Sequence, residues 1–212
     1  MRSIGYASGI SMGIENTAFN VVILFAGFLG TMVVAAHIIM INVFALFFMM
    51  GLGFGVATAV SVGNAYGAGD MDAVKRWAWL GLSVQSVIMA FAGFFMWISA
   101  PQLATFFTTD TQVIKLAAVL IALVSIGTVF DTGQSLLSMS LRARGDTWVP
   151  TFIHLLSYGV IMIPLTYALI FPLGRGALGL ADGIVLGTFV PFALVIWRYR
   201  WLDKQAQAAS AS

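Results

Sequence analysis

The sequence predicts an all-α, polytopic membrane protein with six transmembrane helices, and three observations carry that prediction. Of the 212 residues, 60% are hydrophobic and only 8% carry a charge, against about 25% charged in an ordinary soluble domain. Asn16 to Gly69 is a run of 54 residues without Asp, Glu, Lys or Arg, and Trp77 to Thr109 is another of 33. A bilayer crossing takes roughly 20 apolar residues, so the first run holds more than one. The runs are continuous, unlike the alternating ten-residue strands of a membrane barrel. Helices satisfy their own backbone in lipid, and helices are therefore expected throughout.

Breaks fall where Gly, Pro and charges cluster. They divide the chain into helices over 5–28, 32–66, 73–99, 112–143, 147–172 and 178–200. The first interrupts its apolar run with Glu15 and Asn16 and has no small-residue cleavage site after it, so it reads as a membrane helix and not a signal peptide. The second is long enough to cross and protrude, with a bend expected at Gly51, Gly53 and Gly55. After the third, Pro101 to Thr108 reads as a short surface helix. Pro164 and Pro191 fall inside the fifth and sixth, where kinks are expected. Residues 1–202 make one six-helix lobe on this reading, and 203–212 a disordered cytoplasmic tail.

Charge sets the orientation. With the N-terminus in the cytoplasm, Arg2, Lys75, Arg76, Arg142, Arg144, Arg198, Arg200 and Lys204 lie on that side, and only Lys115 and Arg175 opposite. The bias places both termini in the cytoplasm, and Trp77, Trp79, Trp148, Trp197 and Trp201 at the same interface. The net charge of +2 is accounted for by these loops, and nucleic-acid binding is excluded for want of a basic patch interleaved with aromatics. Zero Cys and two His exclude disulfides, thiolate metal sites and multi-histidine clusters.

An ionisable side chain inside the membrane costs about 2.5–3.5 kcal/mol even on insertion scales, so each needs a reason. Glu15, the only Glu, lies roughly 15 Å from the cytoplasmic end of its helix, and Asp131 at a similar depth in the fourth. These are the candidate cation-coupling acids, for Na⁺ or a proton. Thr128, Asp131, Ser135 and Ser138 recur at spacings of three and four, making one polar stripe with Gln134 beside it. Ser11 shares a face with Glu15, and Asn16 pairs with Asn20. His37 and Asn42 are secondary lining candidates, and His154, near the cytoplasmic end of its helix, ranks lower still. Asp182 reads as a helix-terminal anion favoured by the dipole.

Val62-Gly63-Asn64-Ala65-Tyr66-Gly67-Ala68-Gly69-Asp70 resembles the VGxxxGAGD signature of the multidrug and toxic compound extrusion (MATE) family. Ala36 to Asn42 resembles the AxHxxxxN stretch of the eighth helix in NorM-like members, and Glu15 falls where those members carry an acid in their seventh. Phe130 to Gln134, Leu141-Arg142 and Asp146-Thr147 resemble the tenth helix and the loop after it. Ile163-Pro164-Leu165 and Gly174 to Gly183 fit the eleventh helix and the turn into the twelfth. Gly51, Ile38, Ala143 and Asp182 depart from the family pattern.

The resemblance implies a fold with two six-helix lobes around a cleft, of which this chain is the carboxy-terminal one. It implies efflux of cationic, amphipathic compounds by antiport against Na⁺ or H⁺, with no other cofactor and with Glu15 and Asp131 as coupling acids that could hold Na⁺. The partners are then the lipid bilayer, small cationic substrates, and either an amino-terminal lobe or a second copy. The location is a bacterial inner membrane. A lone lobe is expected to need its partner, since polar residues such as Glu15 and the Asp131 stripe would otherwise confront lipid. An inactive fragment is one competing reading. A lipid-linked-oligosaccharide flippase is another, disfavoured by the near absence of intramembrane Arg and Lys. An intramembrane enzyme is a third, disfavoured because no Ser–His pair or Asp cluster is apparent.

Overall fold

A computed structural model describes residues 2–210, with side chains over 5–206. The helices are α1 (Arg2–Leu29), α2 (Thr31–Gly67), α3 (Met71–Ile98), α4 (Ala100–Thr105), α5 (Thr111–Val124), α6 (Gly127–Ala143), α7 (Trp148–His154), α8 (Ile163–Ile170) and α9 (Leu178–Ser210). A π-helical segment, Leu155–Met162, joins α7 to α8, so the three form one span, Trp148–Ile170. Among the described residues five helical spans are long and apolar enough to cross a membrane, or six if α5 and α6, bent by 48°, count as one broken span. No strand occurs among the described residues.

The longest helix, α2, is the axle. It packs against α6, α3, α5 and α1, and α6 in turn packs against α9 and α3. One apolar core joins Val22, Met40, Phe44, Leu120, Tyr158 and Ile184; a second, at the other end, joins Val62, Val74, Leu137, Leu141 and Tyr199. Lipid-facing positions carry large exposed apolar side chains such as Leu24, Phe28, Leu46, Phe91 and Trp197, as a bilayer solvent permits.

Two features of α2 and α6 differ from the sequence expectation. No break occurs at Gly51–Gly55; Gly51 lies against Thr132, and Gly55 against Leu136 and Met139. The glycines let the two helices approach closely. The expected single helix over 112–143 breaks at Ser125–Ile126. Thr128 N–H bonds the Ser125 carbonyl at 3.3 Å and its hydroxyl donates to the same oxygen at 2.7 Å, while Ser125 Oγ donates to Ala122 O at 2.8 Å. Local side-chain bonding of this kind competes with the regular ladder. Gly93 of α3 fits into the bend, where a Cβ would stand 2.8 Å from Ser125 O.

The two turns at one end of the bundle are built alike. Gly69 has φ 77° and Gly145 φ 91°, and the amides of Asp70 and Asp146 return to Ala65 and Leu141 carbonyls. This is the glycine helix-stop that the VGNAYGAGD segment encodes. Asp70 then caps α3 by accepting from Ala73 N–H at 2.8 Å, and Asp146 accepts from Arg198 Nε at 2.8 Å. Beyond Leu202, where a disordered tail is expected from composition, α9 continues as helix to Ser210. Asp203 explains the extension: it is buried and accepts from Arg144 Nη1 at 2.9 Å and Trp79 Nε1 at 3.1 Å. Residues 211 and 212 lie outside the described residues.

The proline expectations resolve differently. Pro164 sits in the first turn of α8, directly after the π segment, where its missing N–H is tolerated. Pro191 lies inside an uninterrupted α9. The short helix expected over Pro101 to Thr108 is α4.

Candidate functional site: two carboxylates beside His154

The site lies where α1, α2, α6 and the α7–π segment meet. Asp131 of α6 is 2% exposed, and Glu15 of α1 keeps 22% of its side chain exposed. Both acids line one small cavity of about 220 Å³ together with Asn16, Phe44 and Phe48. Glu15 also borders a larger cavity, about 420 Å³, with Ser11, Ser135, Arg142 and His154. The lobe therefore buries the Asp131 stripe by itself. That part of the sequence-based reason for needing a partner falls away for the Asp131 stripe, whereas Glu15 stays partly exposed and Asn16 exposed.

Asp131 is fully engaged. Tyr158 donates its hydroxyl to Asp131 Oδ1 at 3.2 Å, and Gln134 Nε2 donates to the same oxygen at 3.3 Å and to Tyr158 at 3.1 Å. With its amide nitrogen committed to Asp131, Gln134 presents Oε1 to His154 Nε2 at 3.0 Å. That contact places the imidazole proton on Nε2, leaving Nδ1 to accept from Ser11 Oγ at 2.7 Å. Glu15 Oε2 stands 4.0 Å from the same Nδ1. Hydrogen bonds thus run from Ser11 through His154 and Gln134 to Asp131, and Glu15 stands 4.0 Å beyond, beside the cavity. The π turns matter here: such segments recur at functional sites, and this one carries Tyr158 against Asp131 while His154, at its start, meets Gln134.

The structure rearranges the list of expected lining residues. Gln134 and Ser138 join the acids, Ser138 lying 3.5 Å from His154 Nε2. Ser135 and Asn16 line the cavities. Thr128 does not join them; its hydroxyl is spent at the α5–α6 bend. Asn20 and Asn42 are exposed, and Asn42 bonds its own helix at Ile38 O, 2.8 Å away. His37 is fully buried with neither ring nitrogen bonded, and it lines neither cavity. Asp182 is not a helix cap: it accepts from Arg175 Nε at 2.6 Å, because the preceding loop brings that arginine alongside.

Two residues were ranked wrongly by sequence. His154, placed low because of its distance along the helix from the midplane, is the junction of the polar chain. Its spacing of four from Tyr158 was a usable signal, since both then face α6. Arg142 was counted with the interfacial charges. Its guanidinium instead lines the larger cavity, with Nε and Nη2 buried and unbonded. A flexible side chain of that length reaches inward from the last turn of α6.

Chemically, the arrangement offers two carboxylates and a set of hydroxyl and amide oxygens, but no cluster of three or more His, Asp or Glu among the described residues. It suits a proton or a weakly held monovalent cation better than a transition metal.

The family model described as MatE matches residues 7–168. The chain is 36% identical to the probable multidrug resistance protein NorM of Caulobacter vibrioides, over 99% of its own length and 45% of that protein's. It is 34% identical to the protein of the same description from Xanthomonas axonopodis pv. citri, covering 96% of this chain and 44% of that one. Among solved structures, a MATE in the bent conformation aligns over 99% of this chain and 46% of its own, with TM-score 0.92 and 19% identity. A eukaryotic MATE transporter aligns over 97% and 47%, with TM-score 0.88 and 21% identity. These structural likenesses show the fold. The chain spans less than half the length of the curated relatives it matches. With the family model matched across most of the chain and 99% of the chain aligned to a NorM relative at 36% identity, the chain belongs to the MatE family.

Proposed function

We propose that this chain works as one six-helix lobe of a secondary-active multidrug transporter, exporting cationic amphipathic compounds in exchange for Na⁺ or H⁺. The observation that carries the reading is a pair of acids, Glu15 and Asp131, lining one cavity inside the lobe, with Asp131 held in the buried His154–Gln134–Tyr158 network. Two acids inside a membrane lobe are costly unless an ion repays them. The described relatives, probable multidrug resistance proteins, supply the transport context. Small apolar and aromatic groups at the cavity mouth, such as Phe48, suit amphipathic cations. This is transport and not turnover, so no residue is assigned a catalytic role.

The test is gradient-driven dye efflux from vesicles holding this chain, alone and with a complementary six-helix lobe. Efflux that follows an imposed Na⁺ or proton gradient in either preparation supports the reading. Dye retention equal to that of protein-free vesicles in both would favour an inert fragment. One observation favours a flippase-like relative: the Arg142 guanidinium inside the cavity could meet an anionic headgroup. A single cation beside two acids gives that reading second place.

The proposed setting is a bacterial inner membrane with both termini cytoplasmic. Ala68, in the turn between α2 and α3, and Thr109, between α4 and α5, are both exposed. A Cys at Ala68 and another at Thr109, introduced singly, are expected to react with an impermeant reagent from opposite sides, the first from the cytoplasm. Reaction of both from one side would overturn the six-crossing topology.

A further inference from the structure

Glu15 and Arg142 face the same cavity of about 420 Å³ from different helices, α1 and α6. Each is incomplete. Arg142 Nε and Nη2 are buried and bond nothing, although they form the edge of a guanidinium that accepts a carboxylate side-on. Among the described residues Glu15 has no hydrogen-bond donor, its nearest charged-group contact being His154 Nδ1 at 4.0 Å. The other ionisable groups around them are spoken for: Asp131 by Gln134 and Tyr158, His154 by Ser11 and Gln134. The two groups border one cavity without meeting in an ion pair, and a buried guanidinium without an anion is expensive.

We propose that Arg142 is a tethered cation that can reach the Glu15 carboxylate across this cavity and competes there with a transported cation. The inference rests on the reading of Glu15 as a cation-binding acid. Loading is then an exchange: an incoming cation displaces the guanidinium, which swings into the cavity, and release is driven by its return. The arginine supplies the competitor that keeps the ion from staying bound. It also limits the lobe to ligands able to outcompete an internal guanidinium. Arg142 is a positioning residue here, acting on the ion through Glu15.

The test measures equilibrium binding of Na⁺, and separately of tetraphenylphosphonium, to the purified full chain and its variants. Removing a fixed unit charge several ångströms from the ligand should strengthen binding about tenfold or more. Arg142→Gln is therefore expected to tighten binding of at least one of the two cations by that factor, and Arg142→Lys to stay near the parent chain. In Arg142→Gln with Glu15→Gln the gain should vanish. An Arg142→Gln chain that binds neither cation more tightly overturns the proposal, as does a gain that persists without Glu15. If Glu15→Gln alone leaves binding unchanged, the reading of Glu15 as a cation site fails instead.

A second measurement covers a variant that folds poorly. Glu15→Arg and Arg142→Glu should each lower the melting temperature in detergent, and the two together should recover much of the loss. Additive losses would contradict the pairing.

Discussion

Exchanging Glu15 for Gln, or Asp131 for Asn, is expected to abolish gradient-driven efflux in the active assembly while sparing membrane insertion. Each exchange keeps the side chain's size and part of its hydrogen bonding and removes its charge. At Asp131, the Tyr158 hydroxyl and the Gln134 amide both donate to one oxygen, and an Asn carbonyl can still accept from them. Folding should therefore survive, and the loss should fall on transport. At Glu15 nothing in the lobe depends on a hydrogen bond from the carboxylate, so the neutral variant should be structurally milder still. The matching exchange at Asp182 tests the specificity of this claim. That residue pairs with the half-exposed Arg175 at the end of the bundle remote from the acids, and an exposed pair is worth about 0–1 kcal/mol. Asp182→Asn should pump normally. Wild-type rates in both Glu15→Gln and Asp131→Asn would reduce the acids to interhelical contacts.

The largest expected loss of stability is at Gly183. A Cβ there would collide with the Thr166 side chain and stand 3.0 Å from that residue's Cα, so backbone of α8 must move to admit it. Overpacking of this kind costs about 1–3 kcal/mol, and Gly183→Leu should cost more than Gly183→Ala. Gly187 lies in the same interface but meets no backbone atom among its nearest contacts: an added Cβ would crowd the Met162 side chain, whose Sδ and Cγ can turn away while its Cβ, 2.9 Å off, stays fixed. Gly13, on the exposed face of α1, has nothing within 4 Å, and an Ala there should be neutral or slightly stabilising. Melting temperatures in detergent should thus fall in the order Gly13→Ala, Gly187→Ala, Gly183→Ala, from highest to lowest. An equal effect at all three would show that α8 and α9 are not packed this closely.

The crossings were legible because uncharged runs of this length have one physical solution in lipid. The two acids were legible for the same reason: each stands out against an apolar background. What escaped the sequence depends on neighbours far along the chain or on local backbone choices without a compositional mark. Ser125-Ile126 reads as continuous helix, and only its hydroxyl bonding to carbonyls reveals the bend. The π turns of Leu155–Met162 carry ordinary apolar residues. His154 acquires its role from Ser11 and Gln134, 143 and 20 residues away in sequence. Asp203 looked like part of a solvated tail until Arg144, 59 residues earlier, met it. Arg142 was misplaced because its side chain, and not its backbone position, decides which side of the interface its charge occupies. Conversely, Thr128 fitted the helical stripe and still serves the bend, since periodicity fixes a face but not what stands opposite each residue.

The most direct measurement of the central claim is mutual displacement at equilibrium. A fluorescent organic cation bound to the purified chain would be titrated with Na⁺ and, separately, with acid. If Glu15 and Asp131 hold the coupling ion and communicate with the drug, one of the two titrations should release the dye. The chain carrying both Glu15→Gln and Asp131→Asn should then no longer respond. Dye that binds the doubly neutral chain as tightly as the parent, and that neither Na⁺ nor protons displace, would contradict the claim that these acids couple an ion to transport.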